Sequence, residues 1–350
     1  VRQELEVTVR EYTINDVFGN IVYDIVSHKP DMLAFSVYIW NVETVKKLLS
    51  DLRLILSGCV FVLGGPEVSF GVDHCGILPG LFDCIIEGEG ELCFKELLCD
   101  FAEDKAPERL LRASRQLTLE ELPFTYNEEN IGLFKNRILY YETSRGCPFS
   151  CAYCLSGGDC SPVRFLPIER VFCEIDFFVR YEIPLVKLVD RTFNCNRQRT
   201  KEILGKIASL PSECKTCFHF EVGADLFDGE MIRLLSGLPA GRVQLEAGIQ
   251  STNPKTLESS VRRTDNRRVF ENIVEIVGAG NINVHTDLIA GLPYEDMSSF
   301  RNSFNEVYSL RAHQLQLGFL KRLQGSPLCS MQEEHGMVFS QNPPYEIICN

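Results

Sequence analysis

Three cysteines on one short loop constrain this chain more than any other feature. Cys147, Cys151 and Cys154 sit in Thr-Ser-Arg-Gly-Cys-Pro-Phe-Ser-Cys-Ala-Tyr-Cys, residues 143–154, with the spacing C-x3-C-x2-C. Each thiolate can hold one iron of a cubane cluster, and four cysteines are the ordinary way to complete such a cluster. A loop with three leaves one iron open to something other than protein. The competing reading is a zinc knuckle, for which Cys160 is close enough to be the fourth ligand, or three unrelated buried thiols.

Composition narrows the setting. The chain has 350 residues, enough for two domains, and its 45% hydrophobic content supports a sizeable core. A net charge of −13 argues against a nucleic-acid partner, because phosphate binding needs a basic face. No apolar run is long enough for a transmembrane helix, and no signal peptide is visible. Fifteen cysteines without an export signal point to a reducing, cytoplasmic location rather than a disulfide scaffold. The chain starts at Val1 within what reads as a βα unit, so a first segment is expected to be missing. The end at Asn350 is equally abrupt.

Alternating strands and helices run along the whole sequence. In the first part, strands are expected at Glu6–Thr13, Met32–Val37, Cys59–Leu63 and Cys84–Ile86. Helices are expected at Ile14–Ser27, Val42–Leu56 and from Glu91 to about Phe101. This alternation implies a parallel sheet with helices on its faces, and ligands at the carboxyl ends of the strands. The charged stretch Glu103–Glu129 reads as a linker. Six further strands are expected at Arg137–Thr143, Leu185–Asp190, Phe218–Gly223, Arg242–Ile249, Asn283–Ile289 and Gln314–Leu320. The helices between them are expected at Ile168–Tyr181, Arg197–Ser209, Gly229–Leu235, Arg267–Ala279 and Met297–Leu310. Six strands fall short of a full (β/α)8 barrel.

The cysteine loop, with Gly146 and Pro148 around its first cysteine, resembles the signature of the radical SAM superfamily. The resemblance implies a partial (β/α)6 barrel over residues 136–325. It assigns Cys147, Cys151 and Cys154 to a [4Fe–4S] cluster. S-adenosylmethionine (SAM) would bind the open iron and be cleaved to methionine and a 5′-deoxyadenosyl radical. Other segments match strand by strand. Val189-Asp190-Arg191-Thr192-Phe193-Asn194 corresponds to the turn that meets the SAM amine, through backbone and through Asp190 or Thr192. An ordinary helix-capping Asp190 is the plainer reading. Glu221 lies where relatives approach the SAM ribose, or else makes a salt bridge inside the barrel. Gln244–Ser251 resembles a G-x-Q-S segment, in which Gly248 admits the adenosyl group and Glu246 faces the same way. Arg262 matches an arginine that pairs with the SAM carboxylate. Gly291, in Gly-Leu-Pro, matches a turn that walls the adenine. His219 and His285 read as barrel-interior residues. Cys214 and Cys217 form a C-x2-C pair, and with Cys195 and Cys160 leave an auxiliary cluster conceivable.

Residues 1–104 resemble the cobalamin-binding domain fused to many such enzymes, a Rossmann-like doubly wound parallel sheet. The matching segments are Ser36-Val37-Tyr38, Gly64-Gly65-Pro66-Glu67 and Glu87-Gly88-Glu89-Gly90-Glu91. The resemblance places cobalamin against Ser36, Gly64, Gly65, Gly88 and Gly90. The D-x-H-x-x-G segment that can supply a cobalt ligand is not in this sequence. Residues 105–135 would be the linker, and 326–350 the start of a C-terminal extension. The expected activity is cobalamin-dependent methylation or rearrangement of an unactivated carbon, with a flavodoxin- or ferredoxin-type electron donor. Methylthiolation of RNA and a non-enzymatic metal or corrinoid carrier are the alternatives.

Overall fold

The structure, a computed structural model, describes residues 5–158 and 162–350. Cys160 therefore lies outside the described residues. The chain divides into two units, Val1–Leu117 with Ser340–Glu346, and Thr118–Phe339 with Ile347–Asn350.

The first unit contains α1 (Phe18–Ser27), β1 (Met32–Ser36), α2 (Val42–Ile55), β2 (Val60–Gly64), β3 (Cys84–Glu87), α3 (Glu91–Phe101) and β4 (Leu110–Arg112). The strands form one parallel sheet in the order β1-β2-β3-β4. Strand alternation sorts its apolar residues onto two faces. Phe61, Leu63 and Ile85 pack with Ile21, Leu48, Leu49 and Leu52 of α1 and α2. Val62, Cys84 and Ile86 pack with Cys93 and Leu97 of α3. Helices on both faces make the sheet doubly wound.

Two segments differ from their sequence pattern. Glu6–Thr13 alternates like a strand but forms no ladder. Its residues are exposed, and Arg10 and Tyr12 instead bond the Asp24 carboxylate on α1. Within the stretch expected to be a linker, Leu110–Arg112 pairs with β3 as a fourth parallel strand. Three residues are too few to show a period against charged neighbours.

The second unit begins with β5 (Leu139–Tyr141), β6 (Ser144–Arg145), β7 (Arg164–Phe165), α4 (Ile168–Arg180), β8 (Leu185–Leu188) and α5 (Arg197–Ala208). It continues through β9 (Cys217–Val222), α6 (Gly229–Ser236), β10 (Val243–Gln250), α7 (Pro254–Ser259), α8 (Asn266–Gly278), β11 (Asn283–Ala290), α9 (Met297–Ser309) and β12 (Gln314–Phe319). The described strands β5-β8-β9-β10-β11-β12 form one parallel sheet in that order, a partial barrel. Helix starts are fixed by side-chain caps: Asn196, Asp228, Asp265 and Asp296 accept from backbone N–H groups of α5, α6, α8 and α9. α10 (Leu328–Met331) and the antiparallel pair β13 (Val338–Phe339) and β14 (Ile347–Cys349) complete the unit.

One face of this sheet is apolar. Val186, Leu188, Phe218, Phe220, Val243, Leu245 and Leu288 are buried in one cluster with Ile203, Ile207, Met231 and Ile273 from the helices. The alternate positions Lys187, His219, Glu221, Gln244, Glu246 and Asp287 point the other way. A closed barrel fills its interior with branched apolar side chains. Here that interior is polar and half-buried along β10, which alternates strictly between buried and partly exposed residues.

Candidate active site

The site is assembled at the carboxyl ends of the barrel strands. The cysteine loop starts from a clamp. Asp190, at the end of β8, is 2% exposed. Its carboxylate accepts hydrogen bonds from Thr143 N at 2.7 Å and Ser144 N at 3.0 Å, and from the Thr143 hydroxyl. Gly146 then takes φ 107°, and a Cβ there would meet the Val163 backbone at 3.3 Å. Further along, Ala152 is fully buried, donating to Ser260 O at 2.9 Å and accepting from Leu328 N at 2.8 Å. Tyr153 packs against the Leu292, Leu320 and Leu328 cluster. The aromatic residue before the last cysteine thus anchors the loop.

Cys151 is buried, and Cys147 and Cys154 are partly exposed. Thr192 Oγ1 lies 3.7 Å from Cys147 Sγ. Arg262 reaches Cys151 Sγ through Nη1 at 3.7 Å and donates to Gly248 O through Nη2 at 2.5 Å. Its Nε is buried without a partner. Residues from the turns after β8 and after α7 thereby meet the cysteine loop, and Arg262 ties it to β10.

Beside them lies a cavity of about 190 Å³ lined by Thr192, Glu221, Glu246, Gly248, Arg262 and Asp287, among others. Five of the seven residues expected at the SAM site are therefore brought together. Asp190 is not among them, because backbone and hydroxyl donors of the loop occupy its carboxylate. Nor does it cap α5, a role taken by Asn196. Gly291 is also elsewhere. It has φ 90°, and a Cβ there would fall 2.5 Å from Ile347 Cγ2, so its glycine is required by the approach of β14.

Sequence reasoning passed over Lys187 and Asp287. Lys187 Nζ lies 3.0 Å from Glu246 and 3.7 Å from Glu221. His219 Nε2 lies 2.9 Å from Glu246 Oε2. These partners, His219 before Lys187, hold the Glu246 carboxyl down to about 2 despite its burial. Burial, and then the charges of Glu246 and Glu221, push Asp287 up to about 7. The cavity also meets two buried oxygens without partners, Asp287 Oδ1 and Gln250 Oε1. The strand period placed Glu221 and Glu246 inside, and the same parity at Lys187 and Asp287 was the available signal.

Glu246 has a stability consequence. A carboxyl depressed in the fold stabilises above its ordinary value of 4.5, and that contribution is lost as pH falls toward about 2. Glu246→Gln should flatten this acid limb. Urea midpoints at about pH 5 and about pH 3 should then differ less than in the wild type. An unchanged difference would show that the contacts of Lys187 and His219 with Glu246 do not act on folding.

In the first unit, three strand-end turns gather at one edge of the sheet. Ser36 is in register with Gly64. Gly65 takes φ 104°, and a Cβ there would sit 2.6 Å from Val37 O. Ser69 Oγ donates to Gly65 O at 2.9 Å and accepts from Gly88 N at 3.1 Å. Gly88 has φ 76° and borders a cavity of about 410 Å³ with Ser69, Phe70, Leu92 and Arg112. Gly90 precedes α3 with an ordinary φ of −88°. The described cysteines are free, and burial pushes the Cys195 and Cys217 thiols up to about 11. His219 is buried inside the barrel, its ring 5.7 Å from that of His285. No described helix is long and apolar enough to cross a membrane.

Comparison with known proteins finds a match within each unit. Residues 141–307 match the Radical SAM superfamily, and residues 1–98 match the B12 binding domain. The cobalamin-dependent radical SAM methyltransferase TokK of Streptomyces tokunonensis is 26% identical over 342 residues, covering 88% of this chain and 50% of TokK. The hopanoid C-3 methylase of Methylococcus capsulatus is 27% identical over 297 residues, 75% of this chain and 53% of its own. The chain thus spans about half the length of these curated relatives. The radical SAM methyltransferase TsrM from Kitasatospora setae superposes with a TM-score of 0.71 at 15% identity, over 93% of this chain and 69% of TsrM, which shows a shared fold. The cofactors of this class are a [4Fe–4S] cluster, SAM and cobalamin. The chain carries a radical SAM domain, preceded by a B12-binding domain.

Proposed function

We propose that this chain is the cofactor-binding part of a cobalamin-dependent radical SAM methyltransferase that acts on an unactivated carbon. The observation that carries this reading is that Cys147 and Cys151 contact Thr192 and Arg262, which line one cavity together with Gly248. The donor set suits the implied cluster. Three thiols on one loop, none in a disulfide, have no fourth described cysteine beside them on that loop. The unpartnered Arg262 Nε supports a further acceptor at the same place, such as a carboxylate.

When bound, the cluster supplies the electron that splits SAM, and cobalamin supplies a transferable methyl group. The protein's part is positioning. Cys147, Cys151 and Cys154 would hold the iron, and Asp190 fixes the start of their loop. Arg262 would orient the SAM carboxylate. Gly248 leaves the cavity wall free of side chain where the adenosyl group would lie. Thr192 and the backbone of its turn would meet the amine. Glu221 and Asp287 offer acceptors to substrate or ribose hydroxyls. Ser36, Gly64, Gly65, Gly88 and Gly90 would form the cobalamin edge of the first unit. An external low-potential flavodoxin- or ferredoxin-type protein would provide the electron.

Anaerobic reconstitution tests the reading. The protein should hold about four irons per chain, bind hydroxocobalamin, and release 5′-deoxyadenosine or S-adenosylhomocysteine from SAM with a low-potential reductant. Iron-loaded protein that leaves SAM intact under reduction would overturn it.

A further inference from the structure

A second set of metal-type donors lies outside the barrel, inside the first unit. Glu67 follows the Gly64-Gly65-Pro66 turn, and His74 and Cys75 sit on the single 3-10 turn Asp73–Cys75. One carboxylate oxygen, one imidazole nitrogen and Cys75 Sγ all lie within 4.8 Å of one another. All three are sheltered. Glu67 is 7% and Cys75 4% exposed, and the His74 side chain is 10% exposed.

From this convergence we propose that Glu67, His74 and Cys75 form a zinc-binding site. Hydrogen bonding alone accounts for only part of the cluster. The Glu67 Oε1 atom already accepts from the Tyr345 hydroxyl at 2.8 Å and lies 3.2 Å from His74 Nε2. Neither contact requires a sulfur at the same point. The Cys75 thiol donates to Val72 O, inside its own turn, at 3.1 Å. A sulfur within 4.8 Å of a carboxylate oxygen and an imidazole nitrogen is a donor set that a divalent metal of borderline softness selects. Magnesium and calcium take oxygen ligands, so the sulfur disfavours them. Tetrahedral zinc places ligand atoms roughly 3.3–3.8 Å apart, so a side-chain adjustment of about 1 Å would close the site. Tyr345 then takes the usual outer position, donating to a ligating carboxylate and fixing its orientation. Binding replaces the Cys75 thiol proton with metal, and that proton goes to solvent.

The location gives the site a purpose. The connection it pins contains Ser69, the residue that ties Gly65 to Gly88. Zinc would hold that connection at the strand-end edge. The site is separate from the cysteine loop, so its failure leaves the radical SAM reading untouched.

Elemental analysis of the full chain tests it. Iron-loaded protein exposed to zinc and then dialysed against EDTA should retain about one zinc per chain, with cobalamin cobalt counted separately. His74→Ala and Cys75→Ser should each lower zinc to under about a tenth per chain, with iron content unchanged. A chain carrying C147A, C151A and C154A should lose iron yet keep its zinc. Cobalt(II) added to that chain without cobalamin should give a thiolate charge-transfer band, which reports Cys75 ligation without altering the site. Zinc below about a tenth per wild-type chain, zinc that persists in both His74→Ala and Cys75→Ser, or zinc lost with the three barrel cysteines would each overturn the assignment.

Discussion

Cys151→Ala is expected to remove both the cluster and the reaction. Iron should fall from about four atoms per chain to fewer than one, and reductive cleavage of SAM should drop below detection. Cys151 is the most telling of the three to change. It is buried, whereas its two partners are partly exposed, and it is the sulfur that Arg262 touches. Two remaining thiolates cannot satisfy three irons. Cys99→Ala, at an exposed position on α3, should change neither readout. Cys160→Ala separates the competing chemistries. A cluster with an open iron should survive that change, and a four-cysteine zinc site should not. Anaerobic iron analysis and chromatography of 5′-deoxyadenosine are sufficient measurements. Full cleavage by the Cys151 variant would refute the ligand assignment.

The βα frame was legible because its strands are short apolar runs, and β8 and β10 also keep a strict period of two. Val243–Gln250 is the clearest case: its parity alone places Glu246 and Gly248 on the cavity side. The same period misled at Glu6–Thr13, where alternation had no neighbouring strand to pair with. β4 was hidden because a three-residue strand in a charged stretch has no visible period. Lys187 and Asp287 were overlooked because one polar residue in a strand looks the same whether it meets water or a cavity. Long-range placement was beyond the sequence altogether. Nothing in Ser340–Glu346 announces that Tyr345 bonds Glu67 across 278 positions of chain. Gly291 shows the converse limit: a glycine in the expected place can be required by a neighbouring strand rather than by a ligand.

Asp190 is where sequence and structure give opposed predictions, and one substitution decides between them. If its carboxylate met the SAM amine, Asp190→Ala would weaken SAM binding and leave folding nearly unchanged. The geometry requires the reverse. The carboxylate is buried and accepts from Thr143 N, Ser144 N and the Thr143 hydroxyl. Its removal strands two backbone N–H groups where water does not reach. Bonds to a charged acceptor contribute about 1.5–3 kcal/mol each, and orphaned buried donors carry a further cost. Loss of at least about 3 kcal/mol is therefore expected for Asp190→Ala, seen as a lower urea midpoint with an unchanged slope. Burial also raises this carboxyl above its ordinary value, with the three donors opposing that shift. Asp190→Asn should therefore recover part of the loss, because the amide oxygen can still accept from one backbone donor. The cluster should follow the fold. Thr143 and Ser144 lead directly into Gly146 and Cys147, so a loosened clamp should lower iron retention in proportion to the stability lost. An Asp190→Ala protein of full stability and full iron content, but with SAM affinity reduced more than about tenfold, would return this residue to the cofactor.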